Sequence, residues 1–170
     1  LIIESHIMFV LKNYSFLSLP KLKSLTINSF DNIVIQQHGL KNLACLEDLT
    51  LRFHNFLPEF ANGIFKSLNN LKRLFMFYHS YGEQNIFTRQ TFDGLKNIQL
   101  LVIAGFNITT LSSNFFNLQT LEILFLFDNK VCEVSRGAFL GLKNLRGLDF
   151  GENRISNIGP GIFGAICDED

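Results

Sequence analysis

The chain has no surplus of charge of either sign. Its 170 residues carry 15 lysines and arginines against 15 aspartates and glutamates, and no basic cluster stands out. A neutral chain without a basic patch argues against nucleic acid or an anionic membrane as the principal partner. No apolar run reaches the roughly 18 residues of a membrane-crossing helix, so direct insertion of this segment into a bilayer is not expected. Cysteine is scarce as well. Cys45, Cys132 and Cys167 form neither a C-x-x-C pair nor any metal-ligand spacing. An odd number cannot close completely into disulfides, so cysteine alone leaves the redox compartment unread. Phosphate-cradling loops of the G-x-G-x-x-G or P-loop type are missing. No arrangement of serine, histidine and aspartate offers a nucleophile, a base and an orienting group together. The reading is therefore non-enzymatic: no catalytic residue, no metal and no cofactor. The opening "LIIESHIMFVL" holds Glu4 and His6 and lacks both a basic leader and a small-residue cleavage site. The chain is expected to be a piece of something longer.

What the chain does have is apolar residues, 47% of the total, which excludes a disordered chain and suffices for one well-cored domain. They recur with a period. The pattern L-x-L or its apolar equivalent occurs at Leu1/Ile3, Leu25/Ile27, Leu49/Leu51, Leu74/Met76, Leu101/Ile103, Leu124/Leu126 and Leu148/Phe150, at spacings of 24, 24, 25, 27, 23 and 24 residues. Another apolar residue stands three positions before each of the last six pairs: Leu22, Leu46, Leu71, Ile98, Leu121 and Leu145. Near the end of each return comes a phenylalanine (Phe16, Phe65, Phe92, Phe115, Phe139 and Phe163), with Leu40 in that slot of the second repeat. A unit this small cannot bury its own apolar side, so stacked units must share one continuous core. Strands lying parallel, about 4.8 Å apart, would be lined with the leucines, and the phenylalanines would stack on the return side.

The pattern resembles the leucine-rich repeat family in its roughly 24-residue extracellular form. "LEILFLFDNKVCEVSRGAFLGLKN" (121–144) and "LRGLDFGENRISNIGPGIFGAI" (145–166) carry the resemblance best. Toll-like receptors, arthropod cell-surface repeat proteins and lamprey variable lymphocyte receptors are similar at this level. The implied fold is an α/β repeat: a curved solenoid, or horseshoe segment, with a parallel β-sheet on its concave face and irregular loops and short turns on the convex face. The chain reads as a single domain over 1–170, divided into repeats 1–21, 22–45, 46–70, 71–97, 98–120, 121–144 and 145–170. The cysteine-rich caps of extracellular members are missing, which supports the expectation of a longer uncapped array. In this register Cys45, Cys132 and Cys167 lie too far apart for a disulfide.

The resemblance also implies a buried asparagine closing each strand, its amide satisfying backbone groups at the sharp turn. The corresponding residues here are His6, Phe30, His54, His79, Phe106, Asn129 and Asn153. The first five turns are expected to be irregular. The rings of His54 and His79 should lie side by side and largely buried, as turn fillers rather than metal ligands. Two sequons, Asn13-Tyr14-Ser15 and Asn107-Ile108-Thr109, fall on return loops and permit glycosylation at Asn13 and Asn107.

Residues between and beside the paired leucines are read as facing off the concave surface. The early repeats place polar residues there. Repeats four to six place Phe75, Phe77, Tyr78, Leu100, Val102, Ile123, Phe125 and Phe127, with Phe53 at one edge. A monomer rarely leaves a large apolar patch open, and an aromatic centre with a charged rim is the layout of a binding hot spot. Extra residues around Leu57-Pro58-Glu59 and Tyr81-Gly82-Glu83-Gln84-Asn85 should form loops beside it. These residues are therefore the candidate site for a protein or peptide ligand. Internal cover by a loop and homo-association remain the rival explanations of the same patch. The leading function is an extracellular recognition module, and the resemblance implies an innate-immune receptor type. The alternatives are a structural or adhesive protein that self-associates, or a secreted inhibitor.

Overall fold

The repeated L-x-L pairs become strands of one sheet. In chain order the strands are β1 (Ile2–Ser5), β2 (Phe9–Leu11), β3 (Ser24–Ser29), β4 (Ile33–Ile35), β5 (Asp48–Phe53) and β6 (Glu59–Phe60). They continue as β7 (Arg73–Tyr78), β8 (Leu100–Ala104), β9 (Thr110–Leu111), β10 (Ile123–Phe125), β11 (Glu133–Val134) and β12 (Gly147–Asp149). The computed structural model describes residues 1–56, 59–60, 63–79, 87–88 and 90–163. Seven strands form a sheet in the order β1-β3-β5-β7-β8-β10-β12, every neighbouring pair parallel. The leucine columns fall into register across it, as in Leu25↔Leu49↔Leu74↔Leu101 and Ile27↔Leu51↔Met76↔Ile103. This is the expected solenoid, one coil per repeat.

The return side is more ordered than the expected irregular loops. After the turns of repeats one to three, five and six the chain runs straight long enough to pair again, giving the parallel ladders β2-β4-β6 and β9-β11. No α-helix occurs among the described residues. The inserted segments expected around Leu57-Pro58 and Tyr81–Asn85 lie outside the described residues, as does Cys167. Cys45 and Cys132 are free thiols on the surface.

The core lies between these ladders and is continuous, as stacking requires. Strand leucines such as Leu25, Leu49, Leu74, Leu101 and Leu124 are wholly buried, and so are Phe65 and Phe139 of the return column, with Phe16 and Phe92 nearly so. Rings touch along that side, Phe139 with Phe163 at 5.6 Å between centroids, while Phe92 meets Phe116 at 5.8 Å in place of the expected Phe115, which packs against Phe116 at 4.8 Å.

A second ladder runs along the start of the last four coils. Asn70, Asn97 and Asn144 each donate an amide hydrogen bond to a carbonyl of the previous coil, those of Ala44, Asn69 and Gln119, at 2.6–2.7 Å. Thr120 takes the same slot, its hydroxyl donating to Ile98 O at 2.8 Å. The signal is legible in the sequence as Asn or Thr directly before the apolar residue that opens a repeat. Cys45 occupies the equivalent slot ahead of Leu46.

Candidate binding face and the strand-end edge

The outward face of the sheet is a grid set by strand register. One row across it reads Ser24, Asp48, Arg73, Leu100, Ile123, Gly147, and the next reads Thr26, Thr50, Phe75, Val102, Phe125, Asp149. A third reads Asn28, Arg52, Phe77 and Ala104, and Phe127 follows β10 on the same side. The face is polar on β3 and β5, apolar on β7, β8 and β10, and polar again on β12. Phe75, Phe77, Leu100, Phe125 and Phe127 are half-buried, and Ile123 is exposed. The structure thus brings together six of the nine residues expected to form the patch.

Three do not behave as expected. Phe53 and Tyr78 point into the core, wholly and almost wholly buried. Strand side chains alternate, so residues two beyond an inward leucine also face inward, and β5 and β7 remain extended through those positions. Leu51 and Phe53 share one face, as do Met76 and Tyr78. Both rings join an internal cluster in which Phe53 meets Phe60 at 5.9 Å, Tyr78 meets Phe106 at 5.6 Å and Phe87 meets Phe106 at 4.9 Å. Val102 does lie on the outward face, yet it is buried. Its register neighbours are Phe75 on one side and Phe125 on the other, so it forms the floor between two aromatic walls.

The charged rim is partly self-neutralised. Arg73 pairs with Asp48, with Nη2 donating to Oδ2 at 2.8 Å, and Glu47 holds both Lys23 and Lys72, at 3.1 and 2.9 Å. Those two lysines hold the Glu47 carboxyl below its usual range. The Arg52 guanidinium lies 5.5 Å from the centre of the Phe77 ring. On the opposite flank stand Glu122 and Asp149.

At the strand ends the array changes its way of turning. In β3, β5 and β7 the chain stays extended for six residues, so Ser29, Phe53 and Tyr78 go inward and Phe30, His54 and His79 come out. The ladder continues past them, His54 N donating to Ser29 O at 3.1 Å and His79 N to Phe53 O at 2.9 Å. In the last three repeats a residue with positive φ ends the strand earlier: Gly105 at 79°, Asp128 at 53° and Glu152 at 55°. The next residue, Phe106, Asn129 or Asn153, is thereby turned toward the core. Asn129 and Asn153 play the expected part. Asn129 Nδ2 donates to Ile103 O at 2.8 Å and Leu126 O at 3.0 Å, while its Oδ1 accepts from Phe106 N at 3.1 Å. Asn153 Nδ2 donates to Leu126 O and Phe150 O, and its Oδ1 accepts from Val131 N at 2.9 Å.

The expectation of buried turn-filling histidines is therefore corrected. His79 is exposed and His54 half-buried. They extend a surface column of stacked rings: His6 on Phe30 at 4.3 Å, Phe30 on His54 at 4.1 Å, and His54 on His79 at 5.6 Å. Loss of water around His54 pushes its pKa below 6.5, and the neighbouring charges of His79, Arg52 and His6 push the same way against a weaker opposing pull from Glu4. A depressed imidazole pKa means that the unfolded chain takes up protons first. Stability is then full above the unfolded value of about 6.5 and is lost as pH falls through the folded value. H54N is expected to flatten the fall in Tm between pH 7 and pH 5. Melts of wild type and H54N that decline in parallel over that range would remove this histidine as the cause.

The two sequons also part company. Asn13 is exposed on the return side, its Oδ1 accepting a bond from His38 N at 3.1 Å. Asn107 is buried, and a glycan there would require that packing to open. Among the described residues no group of three histidine, cysteine, aspartate or glutamate side chains could hold a metal ion. No helix there is long and apolar enough to cross a membrane.

A parallel sheet with leucine columns inside, a phenylalanine column on the return and asparagines closing the last strands defines a leucine-rich repeat solenoid. A family model described as leucine rich repeat matches residues 119–166, the stretch in which the asparagine turns are intact. In the crystal structure of the TLR13–ssRNA13 complex, a chain of similar fold aligns with a TM-score of 0.65 at 23% identity, over 93% of this chain and 25% of that one. The chain thus spans about a quarter of the length of that Toll-like receptor structure. No curated protein matches the chain by sequence.

Proposed function

We infer that this chain is a non-enzymatic, extracellular recognition module of innate-immune receptor type that binds a protein or peptide on the outward sheet face of repeats four to six. The observation that carries the reading is the apolar field of Phe75, Phe77, Leu100, Ile123, Phe125 and Phe127, left open between polar strands. Open aromatic centres with charged rims are where protein interfaces concentrate their binding energy. The solenoid's likeness to a Toll-like receptor and the exposed sequon at Asn13 support an extracellular setting. The chain in that likeness is complexed with ssRNA13, which makes nucleic acid the natural rival. Phosphate binding draws on unpaired lysine and arginine. On this face Lys23, Lys72 and Arg73 are already paired with carboxylates, Arg52 lies over the Phe77 ring, and Glu122 and Asp149 flank the other side. That charge layout favours a protein surface.

The test is selection of displayed peptides on the immobilised protein, followed by calorimetric titration of the selected peptides. Truncating a central aromatic anchor typically costs about 2 kcal/mol or more. Phe77→Ala and Phe125→Ala should each weaken capture roughly 30-fold, while Lys23→Ala on the polar flank should change it by less than about twofold. Equal affinities for the three variants, with circular dichroism unchanged, would move the site off this face. A second reading, self-association, would use the same open apolar field of Phe75, Phe77, Ile123, Phe125 and Phe127. Sedimentation separates the two, because a monomer at micromolar concentration excludes it.

A further inference from the structure

At the strand-end edge, around the last three turns, lies a cavity of about 600 Å³ walled by Tyr78, His79, Asp128, Lys130, Glu152 and Arg154 among others. The four charged residues come from one three-residue unit used twice, Asp128-Asn129-Lys130 and Glu152-Asn153-Arg154. In each unit the acid sits at positive φ and the asparagine is turned inward and fixed by backbone bonds. The base follows on the cavity wall, its backbone N–H bonded to the previous coil, Lys130 N to Ile108 O at 3.0 Å and Arg154 N to Val131 O at 2.9 Å. Consecutive coils stack about 4.8 Å apart. The two acids therefore form one row and the two bases another, with the pinned asparagines between them.

The ion pairs among the described residues are those of Glu4 with His6, Glu47 with Lys23 and Lys72, and Asp48 with Arg73. None involves these four side chains, although all four line the same cavity. Each row repeats one sign of charge in consecutive coils, so an opposite charge can lie between its two members. We propose that this cavity binds a free α-amino acid, the ammonium between Asp128 and Glu152 and the carboxylate between Lys130 and Arg154. An anion alone would meet the acidic row, and a cation alone would meet the basic row. Only a ligand carrying both charges a few ångströms apart satisfies both. A volume of this size, within the range of small-molecule sites, leaves room for the side chain.

The probes are L-alanine, L-leucine and L-phenylalanine, each compared with its N-acetyl derivative, which keeps only the carboxylate, and its amide, which keeps only the ammonium. Amide shifts of the full chain in ¹⁵N-resolved NMR read the binding. Saturable shifts at Gly105, Lys130 and Arg154 are expected with at least one free amino acid, and at least tenfold weaker binding of both its blocked forms. Arg154→Gln should reduce the free amino acid to the affinity of its amide and leave the amide unaffected. Glu152→Gln should do the converse with the N-acetyl form. Both side chains are exposed, so the fold should survive, and a matching melt confirms it. Absence of saturable shifts for all three amino acids would overturn the proposal, as would equal binding of free and blocked forms or indifference to both substitutions. The peptide-docking face lies outside this readout, so either proposal can fail alone.

Discussion

Gly105→Ala is expected to lower the melting temperature by roughly 10 °C. A Cβ at this position would lie 1.8 Å from the carbonyl oxygen of Tyr78, and the residue holds a φ of +79°. Two costs therefore add. A left-handed backbone costs an L-residue about 1–2 kcal/mol, and forcing an extra carbon against a packed neighbour costs about 1–3 kcal/mol. A loss of about 3 kcal/mol moves Tm by some 6–12 °C in a domain of this size. Gly63→Ala is the internal control. Its φ is +68°, but the nearest atoms to its added carbon are 3.8 Å away on the flexible Lys66 side chain. It should lose only the backbone part, about 1–2 kcal/mol. Differential scanning calorimetry of the two variants decides the matter: equal shifts would mean that β8 does not approach β7 so closely at its end.

Asn129→Ala should be comparably damaging for a different reason. Its side chain serves Ile103 O, Leu126 O and Phe127 O as donor and Phe106 N and Ile108 N as acceptor, in a buried site. Truncation leaves several backbone groups without partners and out of reach of water, each at a cost of about 1–3 kcal/mol. A total near 4 kcal/mol is expected, allowing for partial relaxation. Asn153→Ala removes a similar set of bonds at a half-buried position, where water can replace them. It should cost less than half as much. Urea melts in which the two alanine variants lose the same stability would show that the Asn129 turn is as wet as the last one.

The site was legible in the sequence only in part. Phe75, Phe77, Leu100, Ile123, Phe125 and Phe127 face outward because they alternate with buried partners, and alternation is a property of any strand. Phe53 and Tyr78 follow the same rule and go inward. They lie beside the paired leucines in sequence, but β5 and β7 run two residues beyond the second member of each pair, so alternation turns them into the core. Val102 and Asn107 were misjudged because burial depends on what neighbouring coils place beside a residue. Sequence distance along the chain does not carry that information.

The sequence by itself determined the solenoid. A 24-residue recurrence of leucine pairs and phenylalanines admits one solution, stacked coils sharing a core, because no single coil can bury its own apolar side. It also determined where the asparagine turns hold, since only Asn129 and Asn153 carry an amide that can serve both carbonyls and N–H groups. What the tertiary structure alone decided was how the other turns close. With no such amide, β8 turns early at Gly105 with Phe106 inward, whereas β3, β5 and β7 continue to pair with their neighbours through a sixth residue. That one extra step of a two-residue period sends Phe53 and Tyr78 into the core and brings His54 and His79 to the surface. The choice between the two turns rests on cross-coil hydrogen bonds and ring packing, which exist only once the coils are stacked.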